Sequence, residues 1–456
     1  MRMFEGMKRV HFVGIGGIGV SAIAKLCLSR GIRVSGSDVH ASAITEDLVR
    51  RGASVVTGTG TRPALDGVDL FVYSPAVPET DPERVEAKRR GIRQMSYPEA
   101  LGELSRTTKT VVVTGTNGKS TTTAMLGLIL EAAGMDPTVI VGSLVPGFPD
   151  GNLRVGAHDL LVVEGCESQA NVLNLSPEAA VLTNVEEDHL DYYRDIDHIR
   201  DTFQAFVAKA TGPVVWNADD PQSRRLKLKD GMSYAMEAEA DVKGANRQVE
   251  AGEQAVEVMR HGVKIGSLTL RVPGAFNVMN ALAATTMALE LGVPFETCRK
   301  VLEGFAGIWR RFERVGSFHG AEVISDYGHH PTAIRATIAA AREFFPGRRI
   351  VLCFQPHQHS RTLELKGDFI AALPEADVVV VPEIYGVSGR TGEEAKRISS
   401  RDLVNGIKKA HPDQDVRYAK DLDEAQRTLG EIVKRGDVVI MQGAGDVDDL
   451  ARRIAR

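Results

Sequence analysis

Residues 111–124, VVVTGTNGKSTTTA, carry the densest chemistry in the chain. Small apolar residues lead into Gly115-Thr116-Asn117-Gly118-Lys119-Ser120, and helix formers follow. A turn of this composition grips phosphate: backbone N–H groups form a nest, the lysine supplies a point charge, and the serine hydroxyl can ligate magnesium. It keeps the Gly-Lys-Ser end of a P-loop but has Val113 where the first glycine of the full motif would stand. A second glycine turn comes far earlier. In VHFVGIGGIGVSAIA (10–24), Gly14, Gly16 and Gly19 fit G-x-G-x-x-G between a strand and a helix, and Asp38 ends the following strand. Missing side chains let the backbone approach a diphosphate whose charge rests on helix N–H groups. Alone, that turn suggests a nicotinamide or flavin dehydrogenase, or simply tight strand–helix packing.

Acidic residues follow the later strands. VVEGCES places Glu164 and Glu167 at one strand end, and TNVEEDHLDYY places Glu186, Glu187, Asp188, His189 and Asp191 past the next. A triphosphate needs a divalent ion and the ion needs hard oxygen ligands, although acids at strand ends also serve as plain helix caps. SDYGHHP (325–331) and FQPHQHSRT (354–362) put four histidines at the ends of two neighbouring strands. No cysteine joins them, so donors to an anionic substrate compete with a zinc site.

The elements that must position these residues repeat one pattern: a short β-branched run, a glycine or polar turn, then an amphipathic helix, as in parallel α/β sheets. Three such blocks are expected. The first has strands at 10–15, 33–37 and 70–74, helices near 18–30, 43–51 and 81–90, and ends around Arg106. The second opens at 110–114 and continues through LLVVEG (160–165), AAVLTN (179–184) and PVVWN (213–217). Alternation over 240–272 predicts a small antiparallel excursion before the helix NALAATTMALELG. The third begins near Phe312 and holds strands at 321–325, 349–354, 377–382 and 437–442.

Bulk properties narrow the partners. The chain has 456 residues, enough for two to four cores, with 25% charged residues and a net charge of −5. That balance argues against a phosphate-coating surface, and basic clusters such as Arg310-Arg311 and Arg348-Arg349 are too short to track a nucleic-acid backbone. The four cysteines lie far apart and suit a reducing compartment, so a cytoplasmic location is expected. Arg2, Lys8 and Arg9 ahead of Ala22-Ile23-Ala24 imitate a secretory signal, but cleavage there would destroy the first strand–helix unit. No apolar run reaches the ~20 residues that span a bilayer.

Together the motifs resemble the Mur ligase family, ATP-dependent amide-forming enzymes of bacterial cell-wall precursor synthesis. The resemblance covers essentially the whole chain: GTNGKST, NVEEDHLDYY, NADDP (217–221), FNVMNALAA (276–284) and RRFE (310–313). HFVGIGGIGVSAIA, SGSD (35–38), DYGHHPTAI (326–334) and FQPH..SRT are most similar to the members that add one amino acid to UDP-N-acetylmuramate. It implies three consecutive α/β domains: a Rossmann-like N-terminal domain (1–106) for the UDP-sugar, a P-loop ATPase-like central domain (107–311) for ATP, and a Rossmann-like C-terminal domain (312–456) for the amino acid. The reaction implied is ATP-driven joining of L-alanine to the lactyl carboxylate through an acyl phosphate, with magnesium, or alternatively manganese, as cofactor.

By family position, Gly14, Ile15, Gly16, Gly17, Ile18, Gly19, Ser37, Asp38 and Ser74 would hold the UDP-sugar. Gly115, Thr116, Asn117, Gly118, Lys119, Ser120, Thr121, Asn280, Arg311 and Asp326 would hold ATP, while Ser120, Glu164 and His189 would hold the metal. Tyr327, His329 and Arg361 would face the amino acid, and Lys119, His189, Arg311 and His329 would carry the chemistry. The resemblance also implies domain closure over ATP and a monomer or weak homodimer. This chain departs from the alanine-adding pattern at Asn117, in EGCESQ, at Phe276 and at Gln358. A ligase adding a whole tripeptide to the same sugar, and a non-catalytic UDP-sugar binder, stay open beside this reading.

Overall fold

In this computed structural model the described residues are 3–58, 63–189, 192–228, 231–250, 252–386 and 397–455. Among the described residues three sheets are formed.

The first sheet runs Ser54–Thr57, Arg33–Asp38, Arg9–Val13, Leu70–Tyr73, Arg93–Ser96, all parallel. The order reverses at Arg9–Val13, so a crevice opens between the turn that follows it and the turn that follows Leu70–Tyr73. Both flanking strands of this sheet are missing from the sequence expectation. They are four residues long and, in Arg93–Ser96, mostly polar, because an edge strand has one neighbour to satisfy and little surface to bury.

The second sheet centres on Lys109–Thr114. Ala179–Leu182, Val214–Asn217 and Gly231–Ala235 lie on one side of it, and Leu160–Glu164, Thr138–Ile140 and Leu153–Arg154 on the other, parallel except for the last pair. Val111, Val112 and Val113 are at most 2% exposed, which is why this stretch reads as an unbroken apolar run. Val242–Glu250, Glu253–Arg260 and Val263–Leu270 extend the sheet where the alternating pattern was seen.

The third sheet runs Glu313–Phe318, Ala321–Asp326, Val438–Gln442, Ile350–Phe354, Val378–Pro382, Asp415–Ala419, with only the first pair antiparallel. One expectation needs correction: the two histidine-bearing strands are not neighbours. Val438–Gln442 lies between them and pairs with both. Strand order in a doubly wound sheet comes from tertiary crossovers, and proximity in sequence does not fix it.

The chain forms two compact units. One comprises Met1–Ala245, Glu257–Leu268 and Met279–Glu303, and the other Asn246–Val256, Thr269–Val278 and Gly304–Arg456. In the first unit a single apolar cluster joins Phe12, Ile23, Leu26 and Leu104 to Val112, Leu161 and Val172, so two sheets share one core. Lys25 spans the same junction, donating to Asn152 Oδ1 at 3.0 Å and to the Asp150 carbonyl at 2.8 Å. In the second unit Ile324, Ile334, Phe354, Phe369 and Leu403 form a core around the third sheet.

Candidate active site

The phosphate loop follows Lys109–Thr114 and ends in the helix Lys119–Ala132. Gly118 is its N-cap at φ +83°, a conformation that favours glycine, and no side chain caps the helix. The first helical N–H groups are therefore offered to an anion. A Cβ at Gly118 would strike the Asn280 amide oxygen, which also accepts from Thr122 Oγ1 at 3.3 Å, so the loop and the helix Ala275–Glu290 meet at these residues. Gly118→Ala should raise KM for ATP on the order of tenfold and cost about 1–2 kcal/mol of stability, read by steady-state kinetics and calorimetry.

Neighbouring strand ends brace the loop. Thr116 N–H donates to the Asn184 carbonyl (3.0 Å), Asn117 N–H to Asn184 Oδ1 (2.9 Å) and Thr183 Oγ1 to the Asn117 carbonyl (2.6 Å). Asn117 Nδ2 donates to Glu186 at 3.3 Å, and the Glu186 carboxyl is held above its ordinary range by burial and by the charges of Asp220 and Asp188. NADDP supplies scaffold: Asn217 Nδ2 donates to the Thr183 carbonyl, and Asp220 Oδ2 accepts from the backbone N–H of Val185 and Ser223.

Lys119 turns back over its loop, donating to the carbonyls of Gly115 (2.7 Å) and Thr116 (2.8 Å) and lying 2.9 Å from Glu167 Oε2. Burial, the largest influence, would lower the ammonium pKa, but the neighbouring groups, Glu167 foremost with Cys166 and Glu164, together outweigh it and the net direction is upward. Lys119 is thus a charged donor held beside the cradle. Cys166 lies exposed in the same segment, next to Glu167.

Glu167, Asp188 and His189 bring one ligand atom each within 4.8 Å of one another. They come from the turns after the two strands that flank the loop strand. His189 adopts φ +54°, and its carbonyl accepts from the N–H groups of Tyr192 (2.8 Å) and Tyr193 (2.9 Å), which fixes this uncommon conformation for a non-glycine residue. Tyr193 O–H in turn donates to the Glu167 carbonyl at 2.6 Å. Glu167 is 3% exposed, and its carboxylate is paired with the Lys119 ammonium, 2.9 Å from Oε2 and 3.1 Å from Oε1. Two carboxylates with one imidazole form a donor set that suits a divalent ion. Ser120, also in the expected metal set, is buried on the first turn of the loop helix. Glu164 lies outside the cluster and accepts from Gly142 N–H at 2.8 Å. Asp191 falls outside the described residues.

The first glycine turn is built differently. Gly14 (φ +74°) and Ile15 donate their N–H groups to the Ser37 carbonyl at 2.9 and 3.1 Å, and Gly16 N–H donates to Asp38 Oδ2 at 2.8 Å. A Cβ at Gly14 would lie 2.8 Å from Ser74 Cβ, and one at Gly19 would lie 2.6 Å from the Tyr97 ring, so both glycines serve close approach. Gly17 caps the helix Ile18–Ser29 without a side-chain bond, as Gly118 does in the second loop.

In the second unit, Arg310 and Phe312 take positive φ of 57° and 48° around Arg311. Arg310 donates to the carbonyls of Gly443 (2.6 Å) and Gly445 (2.9 Å), and the Arg311 guanidinium sits 4.9 Å from the Tyr327 ring centre. Asp326 is 7% exposed: its Oδ1 accepts from Gly328 N–H, Gln442 Nε2 and Thr337 Oγ1, and its Oδ2 from Phe312 N–H. Among these bonds, Oδ2 keeps capacity for one more donor, such as a ribose hydroxyl.

His329 Nδ1 lies 3.1 Å from the Tyr327 carbonyl, the His329 and His357 rings are 5.7 Å apart, and His357 stacks on Tyr385 at 5.6 Å and 11°. Arg361 Nη1 reaches His357 Nδ1 at 3.5 Å, with Gln358 between them at φ +68°. Tyr327, His329 and Arg361 are thus gathered with two residues absent from the expected substrate set. His357 stood in a motif already noted, and Tyr385 had one signal, its place just past the apolar run DVVVVP. Phe276 packs against the core of this unit.

The fold is that of an ATP-dependent, amide-bond-forming ligase. The chain belongs to the Mur ligase family: the descriptions Mur ligase family, catalytic domain; Mur ligase middle domain; and Mur ligase, glutamate ligase domain match residues 9–109, 113–288 and 310–445. Among its relatives, UDP-N-acetylmuramate--L-alanine ligases from Trichlorobacter lovleyi and Geobacter sp. strain M21 are 39% and 40% identical, over 98% of this chain and 98% and 96% of theirs. The crystal structure of UDP-N-acetylmuramate-alanine ligase from Thermotoga maritima matches with a TM-score of 0.82 at 28% identity, covering 98% of both chains. A murein peptide ligase from Psychrobacter arcticus shares the fold at 22% identity and a TM-score of 0.73.

Proposed function

We propose that this enzyme joins L-alanine to the lactyl carboxylate of UDP-N-acetylmuramate, at the expense of ATP, in peptidoglycan precursor synthesis. The observation that carries this reading is the end-to-end similarity to ligases of that one name. A carboxylate oxygen attacks the γ-phosphorus, ADP leaves and an acyl phosphate forms. The amine of L-alanine then attacks the acyl carbon, loses a proton, and inorganic phosphate departs.

Each step assigns work to residues of this chain. Lys119 and the loop N–H groups neutralise charge as carboxylate and phosphate approach, and Arg311 adds a second positive charge. Ser120, Glu167, Asp188 and His189, with Glu164 as the remaining expected ligand, would hold magnesium, which supplies charge neutralisation on the phosphates when bound. Asn280 is assigned to adenine and Asp326 to ribose. Tyr327 and Arg361 orient the amino acid, and His329 assists loss of the amine proton, whose free pKa of about 8 requires only a small push. The first glycine turn, with Ser37, Asp38 and Ser74, is assigned to the UDP-sugar.

The domain boundaries proposed are 1–106, 107–311 and 312–456. Among the described residues no helix is long and apolar enough to cross a membrane. A cytoplasmic location and a monomer or weak homodimer complete the proposal, and a tight higher oligomer in sedimentation velocity would refute the last point. The central test is phosphate release with UDP-N-acetylmuramate, ATP, magnesium and each amino acid in turn. L-Alanine should give the highest kcat/KM. No release with any amino acid would overturn the reading, and preference for a tripeptide would select the recycling ligase.

A further inference from the structure

Beneath the first glycine turn lies a buried polar chain that the reaction itself does not use. His11 is 0% exposed and Glu83 5%. His11 Nε2 is 2.8 Å from Glu83 Oε2, His11 Nδ1 is 3.0 Å from Ser35 Oγ, and Ser37 Oγ donates to Glu83 Oε1 at 2.6 Å. The register explains the assembly: His11 pairs with Ser35 and Val13 with Ser37 on adjacent parallel strands, so the three polar side chains face the same side. Glu83 descends onto that face from the first turn of Pro82–Arg89, where Asp81 caps its N–H at 2.8 Å.

The surroundings are apolar. Val13, Phe71 and Ala87 form the cluster on this side, and the Phe71 ring lies 5.3 Å from His11. Burying a carboxylate and an imidazole there is unfavourable compared with a hydrocarbon filling of equal volume. The pair does, however, hold one particular residue. Ser37, bound to Glu83 through its hydroxyl, is the residue whose carbonyl receives the N–H groups of Gly14 and Ile15, and its neighbour Asp38 receives that of Gly16. Glu83 thereby fixes the strand end on which three successive N–H groups of the turn depend.

We propose that His11 and Glu83 are positioning residues for the nucleotide-sugar cradle, setting its backbone geometry through Ser37 without touching the ligand. The inference rests on the assignment of this turn to the UDP-sugar. Its specific consequence is a separation of kinetic constants, because a loosened cradle must be reordered by the sugar nucleotide alone.

The test is steady-state kinetics of Glu83→Ala and Glu83→Gln with each substrate varied. Glu83→Ala should raise KM for UDP-N-acetylmuramate about tenfold, with KM for ATP and kcat within a factor of about two, as expected for one lost buried hydrogen bond. Glu83→Gln, which keeps an acceptor for Ser37, should recover most of that loss and is the variant to read if the alanine protein does not fold. A lowered melting temperature with all KM values unchanged, or equal increases in every KM, would overturn the inference. Absence of wild-type activity with UDP-N-acetylmuramate would instead overturn the functional reading, so the two failures are distinguishable.

Discussion

Lys119→Met is expected to reduce phosphate release by about a thousandfold or more, with most of the loss in kcat. Its ammonium is the charge held against the loop, fixed by two loop carbonyls and Glu167. ATP brings several negative charges and the incoming carboxylate another, so their mutual repulsion is greatest as the new P–O bond forms. A methionine fills a similar volume but supplies no charge where the demand peaks. ATP binding should weaken less than turnover, because the backbone N–H groups of the turn remain. Single-turnover kinetics and equilibrium ATP binding together check this, and a variant with near-normal kcat would refute the assignment. The same substitution leaves Glu167 buried without its cation, so the unliganded variant should also melt lower than the parent.

The second large effect distinguishes two carboxylates three positions apart. Glu167→Gln should lower kcat by about a hundredfold and shift the magnesium dependence to higher concentration, whereas Glu164→Gln should change kcat by less than about tenfold. The difference rests on geometry: Glu167 stands within reach of both Asp188 and His189, and the carboxylate of Glu164 is engaged by the backbone of Gly142. Glutamine preserves shape but removes the charge that a hard cation requires. Titration of activity against magnesium and against manganese for both variants gives the answer. A larger loss in Glu164→Gln would return the metal assignment to Ser120, Glu164 and His189.

Much of the architecture was legible because its signals are local. Buried parallel strands read as apolar runs, and both glycine turns lie between a strand and a helix as their motifs require. The flanking strands Ser54–Thr57, Arg93–Ser96 and Asp415–Ala419 escaped, since an edge position buries too little surface to impose an apolar pattern. The alternating stretch after residue 240 did yield strands, because a sheet with one wet face writes its period of two into the sequence.

The candidate site was legible as a set of residue types and illegible as a set of distances. Lys119 and Ser120 could be proposed from motif spacing, and His189 from the family resemblance. The choice between Glu164 and Glu167 could not, because it depends on how the chain turns after the strand Leu160–Glu164, where Gln169 and Ala170 both take left-handed φ. His357 and Tyr385 come together across an isolated bridge between segments distant in sequence. The amino-acid sequence by itself determined the two glycine turns, the α/β class and the family, since each is encoded in short windows where backbone conformation and burial pattern are set by neighbouring residues. Only the tertiary structure decided which acids face His189, which strand separates the histidine motifs, and that a buried His11–Glu83 pair lies beneath the first glycine turn. Those relations join residues remote in sequence, and only strand order, register and crossover packing bring them within reach of one another.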